Sequence, residues 1–124
     1  AIVIAADTSL SVNGKIIGKP ASKQHAFEIW SQLSGQWHDV YSGVCVATSA
    51  QVLSQVVRTQ VEFQQLNQVE MEKYWATGEP IGKAGAYAIQ GIAAQYIPQI
   101  KGSYSNVVGL PLHEIAQLLE SVKV

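Results

Sequence analysis

Four polar residues of this chain are suited to binding a charged ligand. Asp7 follows the apolar run 1–6, which is typical of a strand buried on both faces in the middle of a sheet. Asp7 would then lie at the carboxyl end of that strand, where ligands bind in open α/β sheets. A carboxylate there can hold a divalent cation or take a proton from water. Lys19, between Gly18 and Pro20, presents an ammonium group suited to phosphate.

The other two residues, Lys83 and Gln90, lie in a segment of small residues. Its glycines let the backbone approach a ligand closely; they are Gly82, Gly85 and Gly91. Lys83 is a second possible phosphate contact, and Gln90 carries an amide donor and acceptor that could read a base edge.

Each of these residues also has a purely structural interpretation. Asp7 could be a turn or cap residue, Lys19 and Lys83 could be solvated loop side chains, and Gln90 is one of many scattered glutamines. Spacing alone therefore indicates only an α/β domain with a possible anion site.

Composition excludes several other classes of protein. With 124 residues, 48% hydrophobic and 14% charged, the chain has the composition of one globular domain, 1–124. A net charge of −1 argues against binding a nucleic-acid polymer, and no apolar run is long enough to span a membrane. No signal peptide is visible, and the single cysteine, Cys45, suits the reducing cytoplasm. The histidines show no metal-ligand spacing, and no phosphate-binding loop of the Gly-x-x-x-x-Gly-Lys type is present.

Local signals predict the elements in the first half of the chain. Asn13-Gly14 between short apolar stretches predicts a hairpin with a type I′ turn. Ser22 is predicted to cap a helix that stops at Ser34-Gly35. Strands are predicted over residues 40–47 and around residues 57–63, where alternation indicates one wet face.

The second half is predicted to hold two helices and a short strand. Asn67 and Glu70 form a capping-box pattern that opens a helix running to about Thr77. Residues 95–100 are predicted as a strand, and the apolar spacing of residues 112–122 predicts an amphipathic C-terminal helix. Interleaved helices and strands favour an α/β or α+β fold with a mixed sheet.

Taken together, these segments resemble the Maf family of nucleotide pyrophosphatases. The resemblance runs through essentially all 124 residues in order. It begins with Ala6-Asp7-Thr8 and Gly18-Lys19-Pro20, followed by Leu33-Ser34-Gly35, His38, Val40 and Ser42-Gly43-Val44, with Ser42 replacing the usual Thr. It continues with Thr59, Val61 and Phe63, with residues 74–91 (YWATGEPIGKAGAYAIQG), which match most specifically, and with residues 107–112 (VVGLPL).

The resemblance implies a mixed, twisted sheet flanked by helices, as in inosine triphosphate pyrophosphatases, with two lobes and a nucleotide cleft between them. It implies hydrolysis of a nucleoside triphosphate to the monophosphate and pyrophosphate with a divalent cation, Mg²⁺ or Mn²⁺. By the family pattern, Asp7 is the proton acceptor and a candidate metal ligand, Lys19 contacts phosphate, and Thr8 and Gln90 set specificity. The Ala-Asp-Thr and Ile-Gln-Gly motifs resemble the branch acting on dTTP and UTP, and family members are generally cytoplasmic and often dimeric.

The chain departs from the family pattern in three places. Nothing matches the Ser-x-Ser-Pro-Arg-Arg loop that opens the family and cradles phosphates, Gly82 replaces a common Asp, and Ala88 replaces a common Gly. We therefore expect an N-terminally truncated domain whose first strand lacks a neighbour, and little activity from residues 1–124 alone. Two alternatives stay open: a non-catalytic nucleotide-binding or cell-division regulatory protein on the same fold, and an inactive fragment.

Overall fold

The computed structural model describes residues 1–122, which form one five-stranded sheet with helices. In chain order the elements are β1 (Val3–Val12), β2 (Lys15–Ile17), α1 (Lys23–Leu33), β3 (Trp37–Ala47), β4 (Val52–Glu62), α2 (Gln68–Ala76), β5 (Gln99–Lys101), α3 (Tyr104–Val108) and α4 (Leu112–Ser121). Two 3₁₀ segments, Ala84–Ala86 and Ile92–Tyr96, lie between α2 and β5. The predicted fold class, helices flanking a sheet, is confirmed.

The strands are ordered β2-β1-β3-β4-β5, and every pairing among residues 1–122 is antiparallel. The expected parallel component of a mixed sheet is therefore not found in this part of the chain. The reason lies in the connections, because β1–β2 and β3–β4 are joined by short turns, which link only antiparallel strands. The long strands β1, β3 and β4 form the body of the sheet.

The first strand differs most from the prediction. The apolar run does not end at Asp7, because the alternating stretch 8–12 continues the strand to Val12. Nor is the run buried on both faces: Val3 is 62% exposed and Asp7 is exposed. Since β2 pairs only with residues 10–12, the outer edge of residues 3–9 has no partner strand in the described chain, as expected for a first strand lacking a neighbour.

The predicted turns and caps are confirmed. Asn13 and Gly14 both have positive φ, 51° and 78°, as a type I′ turn requires. The Ser22 side chain accepts a hydrogen bond from the backbone N–H of His25 at the start of α1. Asn67 and Glu70 form a full capping box on α2, each side chain accepting from the other's backbone N–H.

Two details of the second half differ from the predictions. The strand expected from residue 95 begins only at Gln99, because residues 92–96 form a 3₁₀ turn that buries Ala93 and Tyr96. The short helix α3, capped by the Ser103 hydroxyl, was not predicted. The C-terminal helix is confirmed, although Leu112 is 60% exposed.

One face of the sheet carries the core and the other is open. Register and burial place Leu10, Val40, Val44, Val57 and Val61 on the covered face. The larger core cluster lies toward the hairpin end with α1 and α2, and a smaller one, around Val44 and Val57, packs against Ile115 of α4. Within residues 1–122, no helix has the length and apolar character needed to cross a bilayer.

Candidate active site

A cleft of about 240 Å³ lies on the covered face of the sheet. Its floor is Thr8, Leu10 and Val40, one wall is the segment 83–90, and the other is the end of α3 at residues 107–109. The cleft therefore gathers Thr8, Lys83 and Gln90, which are far apart in sequence.

Thr8 is held in this cleft by two hydrogen bonds. Its Oγ1 lies 2.7 Å from Ser42 Oγ, directly across β1 and β3, and donates to the Gly109 carbonyl at 3.2 Å. Since the Thr8 proton goes to Gly109, the Ser42 hydroxyl must donate to Thr8. Serine at position 42 keeps the hydroxyl that the usual threonine would supply, and one lone pair of Thr8 stays free for a ligand.

Lys83 and Gln90 reach the cleft from the opposite wall. The Lys83 ammonium donates to the Glu79 carbonyl at 2.8 Å, so part of its hydrogen-bonding capacity is already used by the protein. Gln90 is exposed at the cleft, with its neighbour Ile89 buried beneath it. Of these two residues, Gln90 has the side chain better placed to contact a ligand.

Asp7 lies on the other face of the sheet. Adjacent strand residues point to opposite faces, so the Asp7 carboxylate and the Thr8 hydroxyl project on either side of β1. Asp7 borders an open depression of about 510 Å³ on the uncovered face, with Gly43 directly opposite it on β3. Because Gly43 has no side chain, the space beside the carboxylate is free.

Lys19 lines neither of these two cavities. It is exposed on the loop that follows β2, two residues beyond the Leu10–Ile17 pair at which pairing with β1 ends. The Gly18 carbonyl accepts a hydrogen bond from Gly85 N–H at 3.1 Å, which ties this loop to the wall of the cleft. The Lys19 loop therefore runs from the end of β2 past the wall of the cleft.

Glu79 and Tyr74 are further residues of the site that the sequence analysis missed. In the sequence, Glu79 is only the middle residue of Gly78-Glu79-Pro80, a segment that ends the helix predicted to about Thr77. Its carboxylate accepts from the backbone N–H groups of Ile92 and Ala93, and the Tyr74 hydroxyl donates to it. The signal available was an acidic residue within the most specific part of the family resemblance.

No group of three or more His, Cys, Asp or Glu side chains among residues 1–122 is arranged to hold a metal ion. A single carboxylate, that of Asp7, is enough to help bind Mg²⁺ or Mn²⁺. Such ions commonly use one or two carboxylates and take their remaining ligands from substrate phosphates and water. The exposed position of Asp7 leaves room for those ligands.

A buried histidine supports the floor of the cleft. His38 Nε2 lies 2.6 Å from the hydroxyl of Tyr87, whose ring borders the cleft, and Phe63 packs edge-on against both rings. Burial lowers the pKa of His38 to about 4, although the nearby Asp39 carboxylate acts in the opposite direction. Burial also raises the pKa of Tyr87, so both groups are neutral at pH 7.

We expect His38 to make the fold acid-sensitive. Its pKa is lower in the folded than in the unfolded chain, so the unfolded chain binds the proton first. This contribution to the free energy of unfolding is complete above about pH 6.5 and is lost as the pH falls to about 4 and below, by roughly 3 kcal/mol in total. Urea unfolding at pH 7 and pH 4.5 would show this loss, and His38→Gln, which cannot titrate, should reduce it. An equal loss in both proteins would assign the acid sensitivity to other groups.

Comparison with known proteins gives a consistent result across the chain. Residues 1–122 match the family model described as Maf-like protein. A protein of Acinetobacter baylyi named dTTP/UTP pyrophosphatase is 72% identical over 122 residues, covering 98% of this chain and 67% of the relative. Proteins with the same name from Colwellia psychrerythraea and Pelotomaculum thermopropionicum are 49% and 48% identical, covering 94% and 97% of this chain.

The chain spans 55% and 64% of the length of the last two relatives. The matched range, residues 1–122, contains the residues that line the cleft. The match of the family model to residues 1–122, together with 72% identity to a curated relative, shows that this chain belongs to the Maf family.

Proposed function

We propose that the protein carrying this chain is a nucleotide pyrophosphatase that hydrolyses dTTP and UTP to the monophosphate and pyrophosphate. The observation that carries the proposal is the 72% identity, over 122 residues, to a relative named dTTP/UTP pyrophosphatase. The cleft supports it, because Thr8 and Gln90 face the same space from different elements.

The base is proposed to bind in the cleft between Thr8 and Gln90. The free lone pair of the Thr8 hydroxyl can accept from a pyrimidine N–H, and the Gln90 amide can donate to a neighbouring carbonyl. Apolar contacts from Leu10 and Val40 line the floor. Such a combination of apolar walls with a few fixed polar groups is typical of small-molecule sites.

The phosphates are proposed to pass over the free edge of β1. From the cleft, a chain of phosphates following this edge runs between Asp7 and the loop carrying Lys19. The Lys19 ammonium would offset phosphate charge, with Lys83 as a further candidate, and Asp7 would accept a proton from the attacking water. Cleavage of a phosphoanhydride depends mainly on positioning and charge neutralisation, which these residues can supply.

Asp7 is also the proposed protein ligand for a divalent cation, Mg²⁺ or Mn²⁺. Such an ion supplies charge neutralisation on the phosphate oxygens. An activity titration with each cation after treatment with a chelator tests this part of the proposal, and full activity in the chelated protein would contradict it.

The activity is tested by measuring pyrophosphate release by the full-length gene product from the common nucleoside triphosphates and 7-methyl-GTP. We expect dTTP and UTP to be the best substrates. A preference for purine triphosphates would show that the assignment to the pyrimidine branch is wrong. We further propose a cytoplasmic homodimer, which light scattering and cell fractionation would check.

Replacing Gln90 by Glu should weaken selection of the base. The change converts the amide donor into a carboxylate that repels a base carbonyl, at a cost of about 1–3 kcal/mol in kcat/KM for dTTP or UTP. Gln95→Glu, an identical charge change at an exposed position outside the cleft, is the matched control. Equal losses in the two variants would show that Gln90 does not contact the base.

A further inference from the structure

The Glu79 carboxylate holds the chain directly after Gln90. Its Oε1 accepts from Ile92 N–H at 2.9 Å and its Oε2 accepts from Ala93 N–H at 3.3 Å. These N–H groups open the 3₁₀ turn Ile92–Tyr96, whose first residues receive no side-chain cap from Gly91. Glu79 therefore supplies from a distant loop the acceptors that the start of this turn lacks.

Tyr74 extends the same contact to the chain before Gln90. Its hydroxyl donates to the Glu79 carboxylate and accepts from Ala88 N–H at 3.2 Å. Tyr74 is 4% exposed, and burial together with the Glu79 hydrogen bond raises its pKa, so it stays a proton donor. Residues on both sides of Gln90 are thus attached to one Tyr74–Glu79 pair.

Gly91 makes this close approach possible. A Cβ atom built on Gly91 would lie 1.7 Å from Glu79 Oε1, far inside van der Waals contact. Any side chain at position 91 must therefore displace the Glu79 carboxylate. The glycine after Gln90 is required by the position of Glu79, in addition to any role beside the ligand.

We propose that Glu79 is a positioning residue for nucleobase selectivity. By fixing residues 88–93, Glu79 and Tyr74 present the exposed Gln90 amide to the base in one orientation. Discrimination by a flexible amide requires such a support, because a donor and acceptor select a base only when their positions are fixed. This inference rests on the proposed function of the cleft.

The experiment compares the full-length gene product with its Glu79→Gln variant on dTTP, UTP, CTP, ATP and GTP. The substituted glutamine side chain has the same shape, but its NH₂ group cannot accept from either a backbone N–H or the tyrosine hydroxyl. We expect KM for the best nucleotide to rise about tenfold with little change in kcat, and the kcat/KM ratio between best and other nucleotides to fall about tenfold.

Two further variants separate positioning from stability. Gly91→Ala retains the Glu79 carboxylate but displaces it from the backbone N–H groups of Ile92 and Ala93. This variant should therefore lose selectivity to the same extent as Glu79→Gln. Asn67→Ala removes the cap of α2, the helix that carries Tyr74. It should lower Tm and leave the selectivity ratio unchanged, which a purely structural role of Glu79 would not predict.

The outcomes distinguish this proposal from the proposed function. If the unmutated protein prefers purines, the assignment of substrate fails, but the ratio between its best and other nucleotides still tests Glu79. If the unmutated protein hydrolyses no nucleotide, competition binding of the same nucleotides gives the ratio of their affinities, which tests Glu79 in the same way. Unchanged ratios in Gly91→Ala and in Glu79→Gln would overturn the role of Glu79; should Glu79→Gln not fold, the result for Gly91→Ala decides alone.

Discussion

Asp7→Asn in the full-length gene product is expected to reduce kcat for dTTP by about 10²–10⁴, the usual loss when a general base is removed. The asparagine amide cannot accept a proton from water, and it is a weaker ligand for a divalent cation. Because Asp7 is exposed and makes no packing contact that the change would remove, the fold should be retained. Pyrophosphate release and the concentration dependence on Mg²⁺ are the measurements.

The matched control for this variant is Asp39→Asn. Asp39 lies on the same face of the sheet as Asp7 but forms an ion pair with Arg58, with Nη2 at 2.9 Å from Oδ1. Its neutralisation changes the net charge equally and should leave the rate nearly unchanged. Similar rates for Asp7→Asn and the unmutated protein would show that Asp7 is not the general base. Its position outside the cleft would then explain why its loss does not affect the rate.

Trp30→Ala should destabilise the fold by about 3–5 kcal/mol, as is usual when a buried tryptophan is truncated. Trp30 is 1% exposed and packs against Phe27 and Tyr74, with ring centroids 5.5 and 5.3 Å away. Its Nε1–H also donates to the Ala86 carbonyl at 3.0 Å. Ala86 has a φ of 59°, a left-handed conformation that costs free energy in a non-glycine residue. Trp30 therefore fixes both the core and the cleft segment that contains Tyr87.

Urea unfolding of the full-length gene product measures this loss, and Trp30→Phe separates its two causes. Phenylalanine keeps much of the ring packing but leaves the buried Ala86 carbonyl without its donor, at a cost of about 1–3 kcal/mol. Equal destabilisation by the two variants would assign the whole effect to the hydrogen bond. A negligible effect of Trp30→Ala would contradict the packing described for α1.

The sequence predicted those features that depend on neighbouring residues. The positive φ of Asn13 and Gly14, the Ser22 cap and the Asn67–Glu70 capping box follow from side chains that hydrogen-bond or bend the chain within a few positions. The alternation of β4 similarly revealed which of its faces is wet. The short helix α3 was missed because five residues carry too little periodicity to be recognised.

The sequence also predicted the family, through ordered motifs that include the candidate site residues, and the comparisons confirm the family. Composition and spacing did not reveal the roles of those residues. The roles of Asp7, Lys19, Thr8, Lys83 and Gln90 stay predictions, to be decided by the variants and assays described above.

Only the tertiary structure decided which residues meet. Antiparallel pairing of β1 with β3 sets Thr8 beside Ser42 and turns Asp7 to the uncovered face, because strand residues alternate between faces. The contact of Glu79 with Ile92 and Ala93 joins segments whose approach depends on the packing of α2 against the rest of the core. Local sequence patterns reflect interactions between residues that are only a few positions apart. The contacts of Thr8 and Glu79 depend instead on register and packing across the whole sheet.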